Sequence, residues 1–405
     1  MRKFLLLPVM IAVLSGLAAC DTPPAEENLI DATWETIETQ AQGSVVNFMM
    51  WQGSSPINDY INNYVVPEVK ARYNIDLRIS GGQGPEIVQL VMGEREAGVA
   101  KGQVDMVWIN GETFFQLRNI QGLWGPFVEK LPNSRFINPE DPYLSIDFQQ
   151  AVEGMECPWS ISQFALIYDS ARVAAPPRTL PELEAFVMAN PGTFTVSNDF
   201  TGMTLLKSFL AELSGSPTGL DGPFDEAKYE RLSAELWTIL NRLKPYFWKE
   251  GKTFPKEHSV MDQMFASGEL LISYGFGEGG IEDKVRNGLF PTSTRGYAWE
   301  NGTILNANFF GITYNAPNKA GAMQVIDFMI SPEAQLKKAD PNGMDSNPVL
   351  DVSRLPEEWK AQYEAMPTRK YGPSMSELSV RSIQEPAAEY MIRLYDEFRT
   401  EVIEK

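Results

Sequence analysis

Three short apolar runs alternating with stretches of helical spacing constrain the fold of this chain more than any other feature. Ser44-Val45-Val46-Asn47-Phe48-Met49-Met50-Trp51 is compact and apolar, as a strand buried on both faces of a parallel sheet must be. It stops at Gly53-Ser54-Ser55-Pro56, a turn and helix-entry cluster. Over 57–72 the residues Ile57, Ile61, Tyr64, Val65 and Val69 fall on one helical face, with Pro67 placed to kink it. Ile75-Asp76-Leu77-Arg78-Ile79 alternates as a second strand, 81–85 turns the chain, and 86–100 reads as helix. Val104-Asp105-Met106-Val107-Trp108-Ile109 is a third strand, ending in Asn110-Gly111-Glu112. A βαβαβ succession of this kind packs as a parallel sheet wrapped by helices.

A second α/β unit follows. Phe164-Ala165-Leu166-Ile167-Tyr168-Asp169 is a strand, and after Pro176-Pro177 the pattern gives a helix over 180–190 and a strand over 193–197. Helices over 205–213 and 225–243 come next, then a strand over 270–274. The run 309–315 reads as a strand returning to the first unit, with helices over 319–330, 333–338 and 386–404. The chain therefore crosses between lobes near 164–170 and 305–312. This assigns 44–165 plus 311–405 to lobe I and 166–310 to lobe II. Two lobes joined by two crossings form a hinged clam that captures a ligand by closing.

The first twenty residues carry a different message. Arg2 and Lys3 precede an apolar run from Phe4 to Leu17, broken only by Pro8, Ser15 and Gly16. That is an export signal, shorter than the roughly 20 residues needed to span the hydrocarbon. Its end, Leu17-Ala18-Ala19-Cys20, resembles a bacterial lipobox. The resemblance implies a lipoprotein signal peptide over 1–19, lipidation of Cys20, and a polar linker over 20–43 in which 29–37 can form a short helix. Asp21 resembles an inner-membrane retention signal, so the expected place is the periplasm, anchored to the inner membrane by acyl chains. Acylation of Cys20 leaves Cys157 as the one remaining thiol, which excludes an intramolecular disulfide and puts the burden of stability on buried cores. The net charge is −19, from 34 Lys+Arg against 53 Asp+Glu. Such a surface repels phosphate backbones, arguing against nucleic acid, and steers cationic or neutral solutes inward.

Open α/β sheets bind ligands beyond the carboxyl ends of their strands. That rule selects Trp51, Gly53 and Ser54 after the first strand and Asn110, Gly111 and Glu112 after the third. The approach to the hinge adds Trp159 and Gln163, and the second lobe adds Asp199, Thr201, Gly202, Tyr274 and Glu278. Thr303 and Asn306 come from the returning segment. Aromatic faces sandwich planar or cationic groups, amides and hydroxyls give direction, and a carboxylate neutralises an ammonium. Gly275, Gly277 and Gly280 satisfy G-x-G-x-x-G with Glu300 twenty residues on, but Pro291 cuts the following helix short, so a flexible cleft loop is expected there. His258 is the single histidine, no G-x-S-x-G elbow occurs, and Tyr246 replaces the first glycine a P-loop at Gly251-Lys252-Thr253 would need. Cys and His lack metal-ligand spacing. Neither catalysis nor a cofactor is expected, and no residue pair points to a metal, although a carboxylate-plus-tyrosine ferric site stays open.

Several segments resemble type II periplasmic substrate-binding proteins of ABC importers, in their YnjB-like lipoprotein branch. They are 108–112 with Gly125-Pro126-Phe127-Val128-Glu129-Lys130-Leu131-Pro132-Asn133, Pro158-Trp159 with Gln163, Tyr168-Asp169-Ser170-Ala171-Arg172, and Gly302-Thr303-Ile304 with Asn306. Ser267-Gly268-Glu269 and Phe328-Met329-Ile330-Ser331-Pro332-Glu333-Ala334-Gln335 match more general signatures. The likeness runs from about 44 to about 350. It implies a two-lobed fold with an interdomain cleft, a monomer that takes a small polar or cationic organic solute, and an ABC permease in the cytoplasmic membrane as partner. Two other classes are compatible with the residues. An exported carboxylate-dependent enzyme requires turnover that depends on one cleft carboxylate, and an envelope interaction lipoprotein requires an exposed apolar groove.

Overall fold

The computed structural model describes residues 29–373, 377–378 and 380–405, with the side chains of Glu278 and Gly279 excepted. The signal peptide and Cys20 lie outside the described residues. Among the described residues no helix is long and apolar enough to cross a membrane.

In chain order the strands are β1 (Val45–Met50), β2 (Asp76–Gly81), β3 (Met106–Ile109), β4 (Leu123–Trp124), β5 (Ile146–Asp147), β6 (Gln150–Ala151), β7 (Glu156–Asp169), β8 (Ile272–Phe276), β9 (Thr294–Tyr297), β10 (Thr303–Thr313) and β11 (Ser382–Gln384). The main sheet runs β2-β1-β3-β10-β7-β8. β1 pairs in parallel with β2 and β3, Phe48 facing Ile79 on one side and Met106 on the other, as the βαβαβ pattern requires. β10 then pairs antiparallel with β3 and β7, Phe310 lying opposite Trp108 and Cys157.

β7 and β10 hold the two lobes together. β7 has 14 residues and spans roughly 46 Å at about 3.3 Å per residue. Its first part pairs with β10, from Glu156 opposite Gly311 to Gln163 opposite Leu305. Its second part pairs with β8 and β9, Leu166 meeting Tyr274 and Tyr297. One core gathers Phe48, Met106, Trp159, Phe310, Val325 and Met329; the other gathers Phe164, Leu206, Leu236, Tyr274 and Trp299.

Three local expectations need correction. The helix over 57–72 is built as Ser55–Tyr60, a π-helical stretch Ile61–Val65, and Val66–Tyr73. Pro67 has no N–H to donate, and the wide turn before it absorbs that loss without breaking the rod. The segment 193–197 is not a strand. Phe194 to Ser197 are buried, but their backbone partners are scattered: Trp248 N–H donates to the Phe194 carbonyl (2.8 Å) and Leu271 N–H to that of Thr193 (3.0 Å). Those bonds satisfy buried carbonyls with no ladder. Third, 311–405 is divided between the cores. Ile312 to Tyr363 contribute to the first, whereas Ile383, Tyr390, Leu394, Phe398 and Val402 enter the second. β11 carries the tail across by pairing with the second-lobe end of β10, Ser382 beside Thr303.

Candidate functional site

The carboxyl ends of β1 and β3 present an aromatic series. Trp51 is 42% exposed and meets Trp108 edge-on at 6.2 Å. Trp108 meets Trp159 edge-on at 5.0 Å, and Trp159 stacks on Phe310 at 4.8 Å. The Trp108 indole N–H donates to Asn308 Oδ1 (2.9 Å). Gly53 permits the exposed end, because a Cβ there would lie 2.3 Å from the Trp51 ring. Ser54 precedes the helix Ser55–Tyr60 and makes no side-chain cap bond.

Beside this wall, Asn110 stands at the start of the helix Gly111–Asn119 without a side-chain cap bond, and its amide donates to Asn306 Oδ1 (3.2 Å). Asn306 in turn donates to Glu385 Oε1 (3.1 Å), and Glu385 Oε2 accepts from Lys207. This chain of bonds joins the first lobe, β10, the tail and the second lobe. The Lys207 ammonium, fully buried, lies 4.7 Å from the Phe148 ring centroid and 5.4 Å from that of Phe200. Burial lowers its proton affinity, opposed by the carboxylate of Glu385. Gly111 has φ +36°, and a Cβ on it would lie 2.0 Å from the Phe148 ring, so only glycine fits; its N–H donates to Asp147 Oδ2. Glu112 is half-buried and accepts from Gln116 (3.0 Å). Burial raises its pKa and the nearby Lys207 charge pulls it back.

On the second lobe, Asp199 caps the buried helix Phe200–Leu213, accepting from Gly202 N–H (2.9 Å) and from the Ser197 hydroxyl (2.7 Å). The Tyr274 hydroxyl accepts from Ser197 N–H (2.7 Å). Tyr395 of the tail helix Ala388–Glu397 feels the charges of both Asp199 and Glu112, although burial is the main cause of its raised pKa. The tail helix packs against both the helix Gly111–Asn119 and the helix Phe200–Leu213, so it lies between the lobes at this point.

The residues chosen from sequence fall into distinct settings. Asn110, Gly111, Glu112 and Asn306 are brought together at the lobe junction. Trp51, Gly53 and Ser54 lie on the adjoining surface, and Asp199 and Thr201, both partly buried, begin the facing helix. Trp159 and Tyr274 are wholly buried core residues. Gln163 and Thr303 bond one another (2.9 Å), and Gln163 also donates to the Arg381 carbonyl (3.1 Å), which fastens the tail to β7 and β10. Gly202 is buried under the Ser197 carbonyl. Glu278 opens the helix Glu278–Arg286, and its side chain lies outside the described residues. In the glycine-rich run, a Cβ on Gly275 would come 3.0 Å from His258 Nε2, so that glycine makes room for an imidazole.

Lys207, Glu385, Asp147 and Trp108 were not selected from sequence. Lys207 did carry a signal: it interrupts Leu205-Leu206-Lys207-Ser208-Phe209-Leu210, a run apolar enough that its helix had to be buried around the charge. Among the described residues no group of three or more His, Cys, Asp or Glu is arranged to hold a metal ion.

The family described as bacterial extracellular solute-binding protein matches residues 65–368. Protein YnjB of Escherichia coli (strain K12) is 35% identical over 340 residues, covering 83% of this chain and 86% of that protein. Among solved structures, the Tp0655 (TpPotD) lipoprotein of Treponema pallidum superposes with a TM-score of 0.64 at 15% identity, covering 89% of this chain and all of that one (100%). A spermidine/putrescine ABC transporter substrate-binding protein, PotD of Streptococcus pneumoniae, gives 0.59 at 13% identity over 88% and 99% of the two chains. Iron-bound HitA of Pseudomonas aeruginosa gives 0.58 at 13% identity over 87% and 99%. These three share the two-lobed fold.

Proposed function

We propose, from the premise that this chain belongs to the bacterial extracellular solute-binding protein family, that it captures a small polar or cationic organic solute between its lobes and delivers it to an ABC permease. Cys20 is the proposed lipid anchor, holding a monomer at the outer face of the cytoplasmic membrane. The lobes in this reading are 44–163 with 305–373, and 164–304 with the tail from 382.

One observation carries the proposal: Trp51 and Glu112 stand at the strand ends of the first lobe, and Tyr395 of the tail lies near both Glu112 and the Asp199-capped helix start of the second. Closure would seat a solute's planar or cationic group against the Trp51 indole and its ammonium at Glu112. Each aromatic contact contributes about 0.5–2 kcal/mol to a desolvated cation. The acidic surface, with a net charge of −19, draws such a solute toward the cleft. The middle of β7, at 163–164, and the start of β10, at 304–305, supply the hinge, since both strands serve both cores.

Small-angle X-ray scattering of the form 21–405 with putrescine, spermidine or thiamine tests this reading. Compaction with one of them supports lobe closure around an organic cation. An unchanged profile with all three, alongside compaction with an anionic or sugar solute, would retain closure and overturn the proposed ligand class.

A further inference from the structure

At the junction of the lobes three carboxyl groups and one ammonium are buried. Asp147, Glu156 and Glu385 are 3%, 0% and 6% exposed, and Lys207 is 0% exposed. Lys207 pairs with Glu385. Asp147 accepts the Gly111 N–H and its carboxyl interacts with that of Glu156, while neither Glu156 oxygen has a hydrogen-bond donor among the described residues. Two adjacent carboxyls satisfy one another only when one of them holds a proton and donates it. With the Lys207 ammonium paired to Glu385 and the Arg118 charge shared with Glu153, the three buried carboxyls do not all stay ionised out of water.

We propose that the lobe junction stores one titrating proton on the Asp147–Glu156 pair, and that losing it loosens the contact between the lobes. The mechanical link is Phe148. It follows Asp147 in the chain, packs in the second core, and presses on Gly111 of the first-lobe helix. Rotation of the second lobe away from the first therefore pulls the Asp147 carboxyl from the Gly111 N–H and admits water to the pair. In the packed state the proton bridges the two carboxyls. On loosening it passes to solvent and leaves one added negative charge.

The other groups facing the pair act in known directions. Glu385 raises the pKa of Asp147, and Lys207 lowers it less than burial raises it. Arg118 lowers that of Glu156 but is bonded to Glu153 Oε2 (2.8 Å), which divides its charge. Cys157, next in the chain to Glu156, is a buried thiol whose own pKa is raised, so it stays neutral. Glu112, just past Gly111, adds no cation. Both members of the pair are held well above the ordinary carboxylate range, with burial as the main cause.

The sign follows. A group protonated in the packed state and ionised in the loosened one stabilises packing at low pH and loses that contribution as pH rises through its raised pKa. This inference goes beyond the solute reading and holds for any solute. The test is the scattering radius and urea unfolding of the solute-free form 21–405, from about pH 5 to about pH 9, with Glu156→Gln and Asp147→Asn beside wild type. For wild type the packed-to-loosened constant should fall up to about tenfold per pH unit across the titration, one proton being released. Either amide variant should flatten that slope. Infrared difference spectra at neutral pH, wild type minus Glu156→Gln, should contain the carbonyl band of a protonated carboxylic acid, and this readout needs no unfolding. A wild-type profile matched by both variants, or the absence of that band, would overturn the proposal.

Discussion

The ammonium of Lys207 and the carboxylate of Glu385, 178 residues apart in the chain, form an ion pair in which the side chains are 0% and 6% exposed. The pair ties the buried helix of the second lobe to the tail, and through Asn306 and Asn110 to the first lobe. Breaking a buried pair by removing one partner leaves the other charge stranded, at a cost of about 3–5 kcal/mol. Lys207→Met should lower stability by that amount in urea denaturation. The double variant Lys207→Met with Glu385→Leu should recover much of the loss, because two apolar side chains strand no charge. A double variant less stable than either single would show that the pair does not act as a unit.

Glu112 is the carboxylate proposed to meet a solute cation. Glu112→Gln keeps its size and removes its charge, so the folded state should change little while affinity for a cationic solute drops by about 1.5–3 kcal/mol, or roughly ten- to hundredfold in Kd. Burial raises the pKa of this group, so protonation begins above the usual carboxylate range. Affinity for a cation should therefore fall as pH is lowered through that raised pKa. In the Gln variant isothermal titration calorimetry should find no such pH dependence.

The tail is placed by the structure in the second core. Tyr390, Met391, Leu394, Phe398 and Val402 are each 0–1% exposed there. A single large-to-small change in a core costs about 2–5 kcal/mol, and whole domains are stable by about 5–15 kcal/mol. Deleting 388–405 should abolish cooperative unfolding of the second lobe and leave the first-lobe transition in place. Calorimetry that found both transitions intact would return the tail to the periphery.

Asp199 caps the helix Phe200–Leu213 and also accepts from Ser197, which holds Tyr274. Asp225 caps the helix Glu226–Leu243 through Lys228 N–H alone, at an exposed position. Loss of a cap costs about 0.5–2 kcal/mol. Asp199→Ala should fall at the upper end of that range and Asp225→Ala nearer the lower, measured by thermal unfolding.

How far the fold could be read ahead depended on the range of the interactions involved. β1 to β3 and their helices were legible because local periodicity and turn residues specify them. Residues 193–197 were misread as a strand since apolar Phe194 and Val196 alternate with polar Thr195 and Ser197, while the absence of a neighbouring ladder is a tertiary fact. The tail helix showed an apolar face, and an apolar face does not say which core it will enter. Among the candidate residues, Asn110 and Glu112 were selected by the strand-end rule and Asn306 as part of the returning segment. Glu385 was missed because a buried pair 178 residues apart has no local spacing, and Lys207 because interrupting an apolar helix marks burial without naming a partner. Trp159 and Tyr274 were aromatic at strand positions, and their alternation could not distinguish core from cleft.

The most direct test of solute capture is a thermal-shift and calorimetric titration of the form 21–405 against organic cations, with Trp51→Ala and Glu112→Gln in parallel. At about one hundred times Kd a bound solute stabilises the folded state by about 2.7 kcal/mol. The account predicts that at least one polyamine or thiamine-like cation raises the melting temperature of the wild type, and that both variants lose the rise. A cation that stabilises wild type and both variants equally, or a complete set of cations that stabilises none, would contradict it.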